Sequence, residues 1–388
     1  THNVSSAASD VYKRQMSASK TGLDPAAVLA MVGDGYYSAN TAGARNVINL
    51  ALPMVEAALA EVPYRDCLRL ADYGAADGGT SQPMWTNLLT AMRNNGDNRQ
   101  VEMIYTDLAS NDFSTLFRMM QGFTGNKDLA YQVNLDNVFV HGCGTGFHRQ
   151  LMADNSLSLG FSATAMHYVS AKPCEIEDHV HMVGATVDEQ AAFRDQAAKD
   201  WEAILLGRGA ELIPGGRFIC YNFGIDDQGR YLGNTGGANM FNTFEKHWRA
   251  LCDEGIITPE EYRRATFSQH YRRMEEFLAP FEDENSPVSR KGLKVRNALS
   301  MLTPCPYRKA YVESQGSMSS ELFARSYIPT LRSWSETVFS TALDQRPADK
   351  VSEIVDRFYQ AYENEVAAEP DSHAMDYIHL VLDIEKTT

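Results

Sequence analysis

Apolar positions along this chain follow two periods. Short apolar runs, bounded by glycine, proline, asparagine or aspartate, alternate with longer stretches in which apolar residues return every three or four positions. Leu68, Leu70 and Ala71 predict a buried strand that Asp72 closes. Further strands are expected over residues 101–105, 138–140, 156–161 and 217–223. Between the first two, Trp85, Leu88, Leu89 and Met92 share one helical face, with Thr80 or Ser81 as cap and Pro83 in the first turn. Phe113, Leu116, Phe117 and Met120 form a similar face behind Asn111 and Asp112, and residues 190–206 predict a long helix. A short helix is expected over 162–169, and a turn at Pro214-Gly215-Gly216. Strands alternating with helices predict an α/β fold with a parallel, doubly wound sheet.

Both flanks look different. Upstream, a helix-like segment spans Pro25 to Ala30, and Val47, Leu50, Met54, Val55 and Ala58 then recur at helical spacing. Past Gly237, residues 241–255, 259–264 and 271–278 look helical with no strand between them, which predicts an inserted helical cap. Residues 351–367 predict an amphipathic helix and 377–384 a closing strand. The expected organisation is a lid segment and helix over 16–66, a ligand-binding core over 67–235, a mainly helical cap over 236–345, and a helix and strand completing the core over 346–388. The polar stretch THNVSSAASDVYKRQ is expected to be a non-native or disordered leader over 1–15, with Met16 as the natural start.

Composition narrows the partners. A net charge of −15 makes nucleic acid and anionic membrane surfaces poor partners. No apolar run approaches the roughly 20 residues that span a bilayer. The six cysteines lie far apart with no Cys-x-x-Cys pair, which points to reduced thiols and a cytoplasmic protein. His179 and His181 lack a carboxylate partner at metal-binding spacing and are expected to be loop residues.

The chemistry concentrates in LRLADYGAADGGT, residues 68–80. A strand, a glycine loop and a helix start make a nucleotide-type corner, because glycine lets a ligand approach the backbone. The loop lacks the Lys-Ser/Thr ending of a phosphate-binding loop and misses the GxGxxG spacing of dinucleotide folds. Asp107, at the tip of the second strand, is placed to accept from ribose hydroxyls. An acid after each of two strands, with glycines between, suits an adenosine group without phosphate, which points to S-adenosylmethionine (SAM). A second glycine-rich stretch, HGCGTG at 141–146, is either another ligand loop or a flexible connection. His167 and Tyr168 follow the fourth strand and fall near the pocket, where a functional and a purely structural role both stay open. Tyr36, Tyr37, Asn40, Thr41 and Arg45 form either a capped helix start or a lid.

In order and spacing the chain resembles the SABATH methyltransferases, which methylate carboxyl groups of small acids and, in one branch, ring nitrogens of xanthine alkaloids. GDGYYSANT, LADYGAADGGT, YTDLASNDFSTLF, GFHRQLMADNSLSLGFSATAMHYVS, LIPGGRFICYNFG and LVLDIEK carry the resemblance. It implies a class I methyltransferase core, Rossmann-like, with an α-helical cap over the substrate, often as a homodimer. It implies cofactor contacts from Tyr37, Asn40, Asp72, Gly74, Ala75, Thr80, Asp107, Leu108, Gly146 and Phe147, with S-adenosylhomocysteine as product. Thr164, His167 and Tyr168 would meet the substrate carboxylate, His167 and Tyr168 as the catalytic pair. Ala44 stands where the plant enzymes hold the carboxylate with glutamine, Tyr168 where they have tryptophan, and Thr164 where they have tyrosine. Arg45 is therefore expected to supply a bidentate carboxylate contact, and Arg45 and His167 the local positive potential. Ala265-Thr266-Phe267-Ser268 lacks the acid and amide of the family's magnesium segment, so no metal is expected. The function implied is esterification of a small aromatic or aliphatic acid. The alternatives are nitrogen or hydroxyl methylation of a heterocyclic or phenolic molecule, with His167 as base for a hydroxyl, or an inactive SAM-binding protein.

Overall fold

The computed structural model describes Met31 and residues 35–387; the expected leader and the segment Pro25 to Ala30 lie outside them. A seven-stranded sheet, in the order β3-β2-β1-β4-β5-β7-β6, forms the centre. Its strands are β1 (Cys67–Tyr73), β2 (Gln100–Asp107), β3 (Val138–Gly144), β4 (Leu157–Ala163), β5 (Leu212–Phe223), β6 (Leu293–Thr303) and β7 (Tyr377–Lys386). The first five pair in parallel, and β7 runs antiparallel to both β5 and β6. Helices cover both faces, so the central strands read as continuous apolar runs rather than alternating ones. β4 is buried along its whole length. In β1, Leu68 and Leu70 enter one core while Ala71 and Tyr73 enter the other. The order reverses between β1 and β4, the place where open α/β sheets bind ligands.

Several expectations are corrected. The closing strand β7 lies inside the sheet, because all its residues except Glu385 are buried and need cover on both sides. Residues 236–345, expected to be mainly helical, also hold β6, a strand not expected there, which forms the sheet's edge. The strand reading stops short for β3, which runs through His141–Gly144, so four of the six residues of the second glycine stretch are strand. Pro214-Gly215-Gly216 is a bulge inside β5, where pairing jumps from Leu157–Leu212 to Leu159–Arg217. Residues 162–169 form no helix; β4 continues to Ala163 and a turn follows. The helical spacing over 47–58 belongs to two helices, Ala42–Leu50 and Leu52–Glu61, with Pro53 starting the second and Leu50 exposed. The expected helix over 271–278 starts at Met274 instead, which frees Tyr271 for the pocket.

Beyond the sheet, the long helices Ser320–Ala342 and Ala348–Ala368 pack with Met240–Asp253 around an aromatic core. Phe339 and Phe358 lie 4.3 Å apart there, and Phe244 stands edge-on to Tyr362 at 5.4 Å. Among the described residues no helix is long and apolar enough to cross a membrane.

Candidate active site

Two adjoining cavities open off the carboxyl ends of β1 to β4. The outer cleft is lined from the β1 loop by Gly74 and Ala76, from the end of β2 by Asp107 and Leu108, and at and beyond the end of β3 by residues 144–149. The smaller inner chamber is lined by Thr41, Ala44, His167, Phe223, Gln269, Tyr271, Trp334 and Tyr377 among others. Met31, Tyr37, Thr164 and Tyr168 line both, and so mark the seam between them.

Local sequence explains the cleft's shape. Gly74 ends β1 at φ +74°, a backbone region that glycine enters freely. Its N–H donates to the Thr106 carbonyl at 2.8 Å. The loop then turns back, and the Asp107 carboxylate accepts from Ala76 N and Leu108 N, each at 2.7 Å. Burial raises the Asp107 pKa, and these two N–H groups offset part of the rise. A carboxylate fixed at both oxygens, with lone pairs left over, suits a vicinal diol. Asn111 donates to Ala76 O at 2.8 Å and holds the loop from outside. The lid helix Tyr36–Asn40 closes from above, with Ser38 N donating to Asp77 at 3.2 Å. Gly43 lets the next helix rest on Tyr377, where a Cβ would sit 2.2 Å from the ring. The backbone cradle and a fixed carboxylate suited to a diol are features that an adenosine-bearing cofactor such as S-adenosylmethionine would fit.

Not every expected residue reaches a cavity. Tyr37, Gly74, Asp107, Leu108, Gly146, Phe147, Thr164 and Tyr168 line the cleft, and His167 lines the inner chamber. Asp72 does not: it is buried behind the loop, accepting from the Trp85 indole at 2.9 Å. Burial pushes its pKa up to about 6. Ala75 and Thr80 are buried in the loop without facing either cavity. Asn40 donates to Tyr36 O at 2.8 Å and lies off the cleft. Arg45 lines neither cavity, because its guanidinium is bound to the Ser38 carbonyl. His167 is 2% exposed, and burial drives its pKa well below the usual range, so it is a neutral ring and no source of positive potential. His179 and His181 lie outside helices as expected, but both are buried.

Gln269, Tyr271, Trp334, Met375 and Tyr377 of the chamber, and His148 and Arg149 of the cleft, were not singled out from sequence. The last two directly follow Gly146 and Phe147, so adjacency was the available signal. The chamber residues come from segments more than a hundred positions from Tyr168, and no local pattern marks them. Among the described residues no cluster of three or more His, Cys, Asp or Glu is placed to hold a metal.

Burial of neutral histidines sets an acid limit. His167, His181 and His379 are all depressed, His379 to about 3. Their stability contribution is complete above the unfolded histidine pKa and is lost as pH falls below it. Asp72, raised to about 6, opposes this by taking up one proton on folding. Near pH 5 the three histidines outweigh the one aspartate, so the unfolded chain binds more protons than the folded one and stability falls as pH falls. Denaturant melts at pH 5.5 and 7.5 are expected to give a lower midpoint at 5.5; equal midpoints would contradict the assignment.

Comparison with known proteins gives a consistent picture. A family model described as SAM dependent carboxyl methyltransferase matches residues 27–387. The salicylate/benzoate carboxyl methyltransferase of Arabidopsis thaliana is 25% identical over 268 residues, 65% of this chain and 66% of that protein. Methyltransferase LUC1 of Fusarium sp is 30% identical over 206 residues, 52% of this chain and 53% of that one. The chain thus spans about half to two thirds of the length of the curated relatives it matches. Among solved structures, loganic acid methyltransferase with S-adenosylhomocysteine superposes with a TM-score of 0.71 at 18% identity. That match covers 93% of this chain and 99% of the other, and shows the same fold.

Proposed function

Because the chain belongs to the family of SAM-dependent carboxyl methyltransferases, we propose that it esterifies the carboxylate of a small organic acid with a methyl group. The observation that carries this is the seam. The outer cleft suits the cofactor, the inner chamber suits a small acid, and Tyr37, Thr164 and Tyr168 belong to both. When bound, SAM would supply a methyl carbon made electrophilic by its sulfonium, and Tyr37, Thr164 and Tyr168 at the seam would face both it and the acid.

The protein's part is positioning. A carboxylate is already ionised at pH 7 and needs no base. Asp107 and the loop at Gly74 hold the adenosine end. Thr164, at φ +56° with its N–H bonded to Tyr221 O at 2.9 Å, is held rigidly at the seam. Tyr168 stays protonated, since burial raises its pKa, and its hydroxyl is available as a donor to the acid. Trp334, Phe223 and Tyr377 keep water from the rest of the substrate.

Turnover of radiolabelled SAM against a panel of carboxylic acids, xanthines and phenols tests the reading. A base-labile methylated product is expected from an acid; a base-stable product from a xanthine or phenol would overturn it. Tyr168→Phe is expected to lower kcat/KM about 10- to 100-fold, the loss of one hydrogen bond to a charged group. The kcat of the wild type is expected to be flat between about pH 6.5 and 9, with His167 neutral and the acid ionised throughout. A rate that rises with a pKa in that window would point to a hydroxyl acceptor that must first lose its proton. A homodimer and a cytoplasmic location complete the proposal; light scattering and cell fractionation test them.

A further inference from the structure

Among the described residues the inner chamber is lined by no Lys, Arg, Asp or Glu, yet it carries buried polar atoms with no partner. Tyr271 OH and His167 Nδ1 make no hydrogen bond, on residues that are 1% and 2% exposed. Buried orphan groups of this kind are rare in native interiors and mark a place where a ligand or water completes the bonding.

Gln269 is held where it can act. His270 N donates to His167 O at 2.9 Å, and Val169 N to Ser268 O at 3.0 Å. Tyr168 and Gln269 thus stand opposite one another in a short antiparallel bridge. The Gln269 amide lies beside the Tyr168 hydroxyl and offsets part of its raised pKa. The amide's orientation also has a cause. His181 Nδ1 accepts from Val183 N at 3.3 Å, which leaves the ring proton on Nε2. That Nε2 lies beside Gln269; with Oε1 turned to this donor, the amide N–H groups are what the side chain has left to offer a ligand.

Building on the carboxyl-methylation reading, we propose that Gln269, with the Tyr168 and Tyr271 hydroxyls, holds the substrate carboxylate, and that the chamber takes acids bearing one negative charge and an apolar remainder. An uncharged clamp suits the reaction. Carboxylate and sulfonium charges cancel as the methyl moves, so a fixed cation would stabilise the ground state more than the transition state. A second charge on the substrate would meet no counter-ion in the chamber and would be buried unpaired.

The test uses benzoate, cinnamate, hexanoate and phthalate with labelled SAM, and calorimetric binding of benzoate and methyl benzoate in the presence of S-adenosylhomocysteine. For the best monocarboxylate, Gln269→Leu is expected to lower kcat/KM about 10- to 100-fold. It should leave SAM affinity and methyl benzoate binding within about twofold, a pattern that a merely structural role would not give. Phthalate is expected to turn over at least about 100-fold more slowly than benzoate. Should Gln269→Leu fail to fold, Gln269→Asn, which withdraws the amide by one methylene, is expected to show the same selective loss. No esterification of any monocarboxylate by the wild type overturns the carboxyl-methylation reading. Esterification that survives Gln269→Leu within twofold, equal weakening of acid and ester, or efficient use of phthalate overturns the clamp alone.

Discussion

Gly74→Ala is expected to weaken SAM binding by at least about 100-fold, from two penalties that together reach roughly 3 kcal/mol. Gly74 sits at φ +74°, where an L-residue is strained by about 1–2 kcal/mol. The added Cβ would also lie 2.4 Å from the Ala165 Cβ, far inside contact distance, and 3.6 Å from the Phe147 ring. The loop must then retreat, and with it the Ala76 N–H that fixes Asp107. Ala165→Gly placed on top of Gly74→Ala removes the clash but not the backbone strain, so it should recover part of the lost affinity. Calorimetric titration with SAM measures both. A Gly74→Ala protein that binds SAM within threefold of wild type would show that the loop is not the cofactor cradle.

Arg208→Met is expected to be the most destabilising single change outside the cavities, at about 3–5 kcal/mol. Arg208 and Glu211 form an ion pair whose side chains are both wholly buried. Arg208 donates to Glu211 through Nε and Nη2, each at 2.7 Å, and to Phe147 O at 2.8 Å and Arg149 O at 2.7 Å. Glu211 accepts from Tyr73 OH at 2.5 Å and from Leu151 N. The pair therefore ties the end of the helix Val187–Glu211 to the segment that walls the cofactor cleft. Removing Arg208 leaves a buried carboxylate uncompensated and two carbonyls unpaired. Chemical denaturation should show a lower midpoint, and SAM binding should weaken because Phe147 loses its anchor. Arg208→Met combined with Glu211→Leu should be less destabilised than Arg208→Met alone, since no lone buried charge remains. A single variant as stable as wild type would refute the account.

Much of the core was readable because it depends on neighbours in the chain. The β1 strand, the glycine loop and the helix with Trp85, Leu88, Leu89 and Met92 lie within thirty residues, and periodicity with turn chemistry describes them well. Asp107 was legible because an acid at the tip of β2 follows from the topology of such sheets. Residues 162–169 were misread as a helix, because Ala163, Thr164, Ala165 and Met166 permit one. Pairing of Tyr168 with Gln269 and of Val169 with Ser268 competes for the same backbone groups and wins. β6 was missed for a related reason. An edge strand is half exposed, so its apolar signal is diluted. Arg45 shows the limit of reasoning from adjacency, since a residue next to Ala44 on a helix points about 100° away from it, here towards the Ser38 carbonyl.

What the sequence by itself determined was the parallel core and the cofactor corner, which rest on short-range patterns: strand, glycine turn, helix start and the acid that ends β2. The class of chemistry came from the order and spacing of blocks that resemble the SABATH methyltransferases. Only the tertiary structure decided what the inner chamber is made of. Ala44, Tyr168, Gln269, Trp334 and Tyr377 come from five separate stretches of chain. Their meeting depends on the lid helix resting on Tyr377, on β7 entering the sheet beside β5, and on a two-residue bridge between distant loops. Charge and burial belong to that meeting rather than to any one segment. His167 is neutral because desolvation by its surroundings outweighs its intrinsic basicity, and among the described residues the chamber's lining carries no formal charge, the nearby arginine being spent on a backbone carbonyl.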